Sequence, residues 1–314
     1  MPRKSRQERR RTMVVQSLAP LRIGLAGGGT DVGEYAENHG GLCLNMAINI
    51  RQDFHLEPDF KKETYSNDFC GKLLKELDLP CSGFGQFFPD KFIGSGLGSS
   101  ASAAVALVGA ANKINNLGLS KMEIAEKAWD IEVNKIGLFG GRQDQLAAVY
   151  GGMNVFQFGK KVTVIPISKS YVDVLYPHLL LFHTGIERNE HKIQEGLKTL
   201  TKRQVNILDE IKRLAALSLV PLVKGDIKEF GQLMKESWEY KQKSNNGVSN
   251  QQIDAIMEKG WKLGAWGGKL NGSGGGGTVL FVVDPDRQED FKKQIGLKHI
   301  DFSPDYQGLD VRIL

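Results

Sequence analysis

The chain has 314 residues, of which 41% are hydrophobic and 25% charged, a composition typical of a globular protein with room for one large domain or two. No apolar run is long enough to cross a bilayer, and the N-terminus lacks the apolar centre of a signal peptide, so we expect a cytoplasmic protein with no membrane partner. The net charge of +5 equals that of residues 1–12 alone, so the rest of the chain is neutral and lacks the basic surface of a nucleic-acid-binding protein.

The first half of the chain is predicted to combine strands with short helices. The basic stretch 1–12 is expected to be a disordered tail. Ser120 and Glu123 have the spacing of a capping box, which marks the start of a helix. The elements predicted in this half are a strand from residue 13, a half-buried strand over 41–54, a small-residue helix over 101–112, a capped helix over 121–135 and a hairpin over 153–168.

The second half is predicted to contain a buried strand, three helices and a glycine loop against another strand. The strand is "LLLFHTG", and the helices cover 190–217, 226–243 and a segment after residue 249. This order favours an α+β fold over regular βαβ winding, with a boundary near 168–171. We therefore predict an N-terminal domain over 13–169 and a C-terminal domain over 170–314.

The segment "GSGLGSSAS" (94–102) joins three glycines to two serines directly before the small-residue helix. Glycines let backbone N–H groups approach an anion, and the start of a helix attracts negative charge. Its spacing excludes both a Walker A loop, which ends in Gly-Lys-Ser/Thr, and a Rossmann G-x-G-x-x-G fingerprint. The segment predicts a phosphate site, and a tight turn capped by serine is the alternative.

Two further glycine-rich loops, "LAGGGTD" and "NGSGGGGT", occur in the chain. Ordering such loops costs conformational entropy, so each needs a reason. A bend or a close packing contact explains one of them. Three in one chain predict a ligand that several backbone segments approach together.

Three charged residues fall where the pattern is apolar. Glu132 lies on the same helical stripe as Ala128 and Trp129, and a buried carboxylate needs either a Lys or Arg partner or a metal ion such as Mg²⁺. Asp144 follows a glycine pair, where it can cap a helix or accept a proton from a substrate hydroxyl. Arg22 interrupts the strand "PLRIGL", so its guanidinium needs a buried acid or an anion.

Together these segments resemble the ordered motifs of the GHMP kinase family, named for galactokinase, homoserine kinase, mevalonate kinase and phosphomevalonate kinase. The resemblance is carried by "APLRIGLAGGGTD", "GSGLGSSAS" and "KLNGSGGGGTVLF" and spans 17–283. It implies an α+β, two-domain architecture with a ribosomal-protein-S5-like N-terminal domain and a ferredoxin-like C-terminal domain. It also implies that ATP and Mg²⁺ serve phosphoryl transfer to an alcohol.

Within the family, "GGGTD" and "GGRQDQLAAVYGG" are most similar to the bacterial heptose kinases. This similarity implies transfer to the anomeric hydroxyl of D-glycero-D-manno-heptose 7-phosphate, on the route to nucleotide-activated heptose for surface polysaccharides. The alternatives are a kinase for another sugar, fucose or galactose, and a protein that binds sugar and ATP without turnover. The oligomeric state stays open, and a homodimer is one of the states considered.

The resemblance also implies a role for each matching position. Asp144 would lie beside the acceptor hydroxyl with Arg22 near it, and Ser100 and Glu132 would hold Mg²⁺. The residues implied to bind the nucleotide are Gly94, Ser95, Gly96, Leu97, Gly98, Ser99, Ser100, Gly274 and Gly275. The residues implied to bind the acceptor are Gly28, Gly29, Thr30, Asp31, Arg142 and Gly272.

A phosphorylated acceptor also needs a basic clamp. The candidates are Arg142, Arg188, Lys243 and Lys269, each of which can equally be a surface charge. Two departures from the family pattern stand out: Phe92 and Ile93 occupy positions where the family has proline, and the stretch 54–92 is short for the subfamily.

Overall fold

The computed structural model describes residues 14–58, 69–77, 81–86, 94–187 and 200–314. The predicted tail over 1–12, Phe92, Ile93 and Arg188 therefore lie outside the described residues. Two antiparallel sheets with helices packed against them make up the fold. Within the described ranges, no helix is long and apolar enough to cross a membrane.

The strands, in chain order, are β1 (Val15–Ala26), β2 (Gly41–Pro58), β3 (Cys81–Gln86), β4 (Met153–Phe158), β5 (Thr163–Pro166), β6 (Leu179–His183), β7 (Gly267–Leu270), β8 (Thr278–Val282), β9 (Lys298–Ile300) and β10 (Asp310–Ile313). The helices are α1 (Gly33–His39), α2 (Phe69–Glu76), α3 (Ser99–Asn115), α4 (Lys121–Asp130), α5 (Gln143–Tyr150), α6 (Lys169–Leu175), α7 (Lys202–Lys224), α8 (Ile227–Ser244), α9 (Gln251–Lys262) and α10 (Gln288–Ile295). A π-helical turn, Ile131–Lys135, continues α4.

The first sheet has the order β10-β1-β2-β4-β5, with β3 also paired to β2. β1 starts with alternating burial and ends as a fully buried run, which suits a strand with neighbours on both sides and layers on both faces. Its register against β2 shifts between Pro20 and Leu21, since proline has no N–H to donate to the ladder. The predicted strand from residue 13 is therefore one long strand that carries Arg22 to the centre of the sheet.

Helix α3 packs closely on this sheet because its side chains are small. Twelve of its residues are buried, nearly all of them alanine, valine, glycine or serine. The hydroxyl of Ser102 donates to the carbonyl of Ala19 on β1 at 2.6 Å, and a Cβ on Gly109 would lie 2.8 Å from Leu309. This close packing fixes the start of α3, and the glycine loop before it, against β1.

The second sheet has the order β7-β8-β6-β9, and every pairing in it is antiparallel. Strand β6 is followed by helices α7 to α9, the β7–β8 hairpin, helix α10 and strand β9. This succession and strand order form the ferredoxin-like arrangement, as the resemblance implies. The third glycine loop connects β7 to β8, so it lies at the ends of these two strands.

The end of the chain does not stay with the C-terminal sheet. Strand β10 pairs with β1 of the first sheet, and Arg51 on β2 forms an ion pair with Asp305 at 2.5 Å. The division at residue 170 remains a prediction, and β10 links the end of the predicted C-terminal domain to the first sheet. One hydrophobic cluster joins Ile23 and Met46 of the first sheet to Leu181 and Leu280 of the second, so the two sheets share part of a core.

Most predicted helices are present with altered ends. The predicted capping box holds: Ser120 accepts from the Glu123 N–H, and the Glu123 carboxylate accepts from the Ser120 N–H at 2.8 Å. Helix α7 continues seven residues past the predicted end at 217, through Pro221, to the left-handed Gly225. Residues 190–199 of that predicted helix lie outside the described residues.

Candidate active site

A cavity of about 610 Å³ opens where the glycine loops meet the ends of several elements. Three of its walls come from the first domain: the loop 94–100, the turn after β1 and the segment from Glu132 to Gln145. The remaining walls come from helices α7 and α8 and from the loop before β8. The cavity therefore gathers all three predicted motifs at one place.

The loop 94–100 shows the backbone conformation that its glycines predict. Gly94, Gly96 and Gly98 have φ of 71°, 81° and 74°, in the left-handed region. Gly98 is the N-cap of α3 and brings no capping side chain, so no side chain covers the first N–H groups of the helix. These groups, together with Ser99 and Ser100, face the cavity and suit an anion.

Both domains hold this loop in place. From β1, Arg22 donates its N–H to the Leu97 carbonyl at 2.9 Å and its Nη1 to the Gly96 carbonyl at 2.6 Å. From β8, Thr278 donates both its N–H and its Oγ1 to the Ser95 carbonyl, each at 2.9 Å. The loop is thus a rigid part of the interface between the two sheets rather than a free surface loop.

Arg22 and Asp144 form a two-pronged ion pair beside the loop. Nε and Nη2 of Arg22 donate to Oδ1 and Oδ2 of Asp144 at 2.7 and 2.6 Å. Arg22 is 5% exposed, so this carboxylate compensates its buried positive charge. Asp144 occupies the first turn of α5 but does not cap it; its Oδ2 lies 3.1 Å from the position of a Cβ on Gly98. The pair therefore lies in the cavity wall next to Gly98 of the loop 94–100.

Glu132 is buried in the π-helical turn without a cationic side chain. The Nε2 of Gln145 donates to its Oε2 at 2.6 Å, and the Ser100 hydroxyl also hydrogen-bonds the carboxylate. Burial raises its pKa to about 7, and no ion pair among the described residues includes it. A buried carboxylate next to a serine hydroxyl is a donor set that fits Mg²⁺.

The unusual pKa of Glu132 makes stability depend on pH. In the folded, metal-free protein the pKa of Glu132 is about 7 instead of the ordinary 4.5. The unfolding free energy therefore falls as the pH rises from 4.5 to 7, by about 3 kcal/mol in all. We expect Glu132→Gln to exceed the wild type in stability at pH 8 and to lose that advantage near pH 5. Urea unfolding of both proteins in EDTA measures this; an equal difference at the two pH values would contradict it.

Asp31 also lines the cavity and is 4% exposed. It accepts from the N–H of Gly29 and of Gln143, each at 3.2 Å, and from the Gln143 Nε2 at 2.8 Å. Burial and the nearby charge of Asp144 raise its pKa. A Cβ on Gly141 would lie 1.9 Å from Oδ2, so the absence of a side chain at Gly141 lets this segment approach the carboxylate.

Some predicted site residues stay behind the cavity wall. The Thr30 hydroxyl is fully buried and bonds the Gly27 carbonyl and the Leu42 N–H, so its expected contact with a sugar is not available here. Arg142 lies 3.1 Å from Glu126 and stacks on Trp129. In this structure both side chains make local contacts, and their roles in acceptor binding remain predictions.

Some of the residues predicted to bind the nucleotide line the cavity, and others do not. Ser95 and Leu97 belong to the loop 94–100 but are buried, and Gly274 and Gly275 pack on Val248. The predicted residues that line the cavity are Arg22, Gly28, Gly29, Asp31, Gly94, Gly96, Gly98, Ser99, Ser100, Glu132, Asp144 and Gly272.

Sequence reasoning missed three polar residues of the cavity. Gln143 and Gln145 flank Asp144 and hold Asp31 and Glu132 respectively; the alternation "QDQ" at a helix start was the available signal. Lys241 lines the cavity from α8, but that helix carries several lysines, so its sequence gives no reason to single this one out. Lys269, named only as a clamp candidate, also lines the cavity.

Comparison with known proteins was made on sequence and on fold. The family model described as GHMP kinases N terminal domain matches residues 76–152, and the model described as GHMP kinases C terminal matches 218–300. D-glycero-alpha-D-manno-heptose 7-phosphate kinase of Campylobacter jejuni is 31% identical over 90% of this chain and 93% of its own length. An L-fucokinase/L-fucose-1-P guanylyltransferase of Bacteroides fragilis is 26% identical over 88% of this chain and 35% of its own length.

Solved structures show the same fold. A D-glycero-D-manno-heptose 1-phosphate kinase from Bacteroides thetaiotaomicron superposes with a TM-score of 0.74 at 27% identity, covering 95% of this chain and 98% of that one. Lactococcus lactis galactokinase, complexed with galactose, superposes with a TM-score of 0.72 at 18% identity, covering 97% of this chain and 96% of that one.

Proposed function

We propose, since this chain belongs to the GHMP kinase family, that it transfers the γ-phosphoryl group of ATP to the anomeric hydroxyl of D-glycero-D-manno-heptose 7-phosphate. That the chain is an ATP-dependent sugar kinase follows from its family and from relatives that are named kinases. The choice of a heptose phosphate rests on two similar proteins named for one. Their names place the phosphate at different positions, and the 7-phosphate is supported by the relative with the higher identity.

The Arg22–Asp144 pair beside the phosphate loop is the observation that carries this proposal. Arg22 binds one edge of the carboxylate through both oxygens, which leaves the opposite lone pairs for an acceptor hydroxyl in the cavity. Because Gly98 is in contact range of the same carboxylate, a hydroxyl there is also close to a phosphate held by the loop. Positioning of this kind is the main contribution that proteins make to phosphoryl transfer.

Each group of residues has a share in the reaction. The backbone N–H groups of the loop 94–100 would hold the nucleotide phosphates, and Asp31 would accept a hydrogen bond from a sugar hydroxyl. Glu132 and Ser100 would hold Mg²⁺, which when bound neutralises phosphate charge. As the new O–P bond forms and the bond to the β-phosphate oxygen breaks, the acceptor hydroxyl loses its proton toward Asp144, and the positive charge of Arg22 favours the developing alkoxide.

A panel of acceptors assayed by ADP release tests the substrate. We expect the highest kcat/KM with D-glycero-D-manno-heptose 7-phosphate, and at least about 100-fold lower values with fucose and galactose, because a site built for a charged group discriminates strongly against acceptors that lack it. Nuclear magnetic resonance of the product locates the new phosphate. A higher kcat/KM with fucose or galactose, or a product phosphorylated away from the anomeric carbon, would contradict the heptose proposal. The protein would then be a kinase of the same family with another acceptor or another reacting hydroxyl.

A further inference from the structure

Two lysines face the cavity from the C-terminal domain. Lys269, at the third position of β7, is 7% exposed, and its Nζ donates to the carbonyl of Gly24 on β1 at 2.7 Å. Lys241, on α8, donates its Nζ to the carbonyl of Gly272 at 2.7 Å. Both side chains line the cavity that holds Asp144.

Both lysines lie near residues that are predicted to contact the acceptor. Gly24 comes two residues after Arg22 on β1, and the Nζ of Lys241 lies 3.7 Å from where a Cβ on Gly28 would be. The Gln143 Nε2, which holds Asp31, lies 3.9 Å from that same point. The two amines therefore lie beside the backbone of β1 and of the turn that follows it, in the same cavity as Asp144 and Asp31.

The charges of these amines make the pocket favourable for an anion. Lys269 forms no ion pair among the described residues, and its Nζ donates to the neutral carbonyl of Gly24. Burial and the like charges of Lys241 and Arg22 lower its pKa well below 10.5. A dianionic phosphate near both amines would offset the burial cost and the mutual repulsion.

We propose that Lys241 and Lys269 form the subsite for the phosphate group of a phosphorylated acceptor, and so select sugar phosphates over free sugars. This proposal rests on the kinase function proposed above and assigns the substrate's charged end to named residues. It also replaces the earlier clamp candidates Arg142, which is bound to Glu126, and Lys243, which is exposed beside Tyr240. The chemistry it needs is that of a phosphate monoester, whatever the sugar.

Lys241→Met tests the subsite, with Lys243→Met on the same helix as the matched control. With D-glycero-D-manno-heptose 7-phosphate we expect KM to rise about 10–100-fold in Lys241→Met, the range for losing a charge-assisted hydrogen bond, and to stay near wild type in Lys243→Met. The same heptose without its phosphate should show no such difference, and KM for ATP should not change. A parallel rise for both heptoses, or a rise in KM for ATP, would overturn the proposal.

A second measurement does not depend on which sugar is phosphorylated. With the nucleotide site filled by a non-hydrolysable ATP analogue, we expect inorganic phosphate to raise the melting temperature of the wild type and of Lys243→Met but not of Lys241→Met. Lys269→Arg, which keeps the buried charge, should retain the effect. If phosphate still raises the melting temperature of Lys241→Met, the subsite proposal is wrong. If no heptose in the acceptor panel is phosphorylated, only the proposed substrate is wrong.

Discussion

Replacing Asp144 by asparagine is expected to lower kcat about 10²–10⁴-fold, the usual contribution of a positioned proton acceptor. The amide keeps one acceptor oxygen, but its N–H₂ group then faces either the Arg22 donors or the acceptor hydroxyl, so one of the present hydrogen bonds is lost. The affinity for ATP should be nearly unchanged, since Asp144 touches the loop without holding it. Steady-state assays give kcat, and calorimetric titration gives the ATP affinity.

Loss of folding has to be separated from loss of chemistry in this variant. Arg22 is buried, so weakening its ion pair is expected to cost about 2 kcal/mol of unfolding free energy, which circular dichroism and urea unfolding measure. Asp130→Asn is the control, because that half-buried carboxylate lies outside the cavity lining and accepts from Asn134 Nδ2 at 2.7 Å. A protein that only senses sugar and ATP would bind both ligands equally well with Asp or Asn at position 144. It would show no turnover with either.

The phosphate loop and most helices were predictable because their causes are local. Three glycines before a small-residue helix allow few backbone conformations, and the loop adopts the left-handed φ values that only glycine takes without strain. The capping pair Ser120 and Glu123 likewise acts within one helical turn. In both places the sequence neighbours are also the neighbours in space.

Long-range pairings were not predictable in the same way. Strand β10 has only four residues and two of them are exposed, so its pattern does not say that it joins β1 rather than the C-terminal sheet. Glu132 fits a regular helix by spacing, and the π-helical turn that carries it depends on tertiary contacts. Lys241 is one of several lysines on α8, and only the packing of that helix against the first domain turns it into the cavity.

The rule that buried charges need partners singled out residues that line one cavity, but it did not give their contacts. It identified Arg22, Glu132 and Asp144 as residues requiring a reason, and the structure places all three on one cavity. It did not reveal that the partner of Glu132 is the neutral Gln145, since several kinds of donor satisfy a carboxylate. It also did not reveal that the hydroxyl of Thr30 bonds the Gly27 carbonyl in its own turn and the Leu42 N–H of β2.

Gly96→Ala is expected to be the most disruptive small substitution in the phosphate loop. Its φ is +81°, and a Cβ there would lie 2.4 Å from the carbonyl oxygen of Asn271, a backbone atom that cannot rotate away. Strain and overpacking together should lower the unfolding free energy by about 2–5 kcal/mol. KM for ATP should also rise, because the Gly96 carbonyl that Arg22 holds would have to move. Urea unfolding and initial-rate assays measure the two effects.

Gly137→Ala separates these two causes, since Gly137 has nearly the same φ, +83°, but no atom within 4 Å of an added Cβ. Its loss should be the backbone strain alone, about 1–2 kcal/mol, with little change in KM for ATP. The difference between the two variants then measures the contact between the phosphate loop and the C-terminal glycine loop. Equal losses would mean that the loops are not in close contact in solution, and that the C-terminal domain does not support the phosphate loop as the hydrogen bonds from Thr278 indicate.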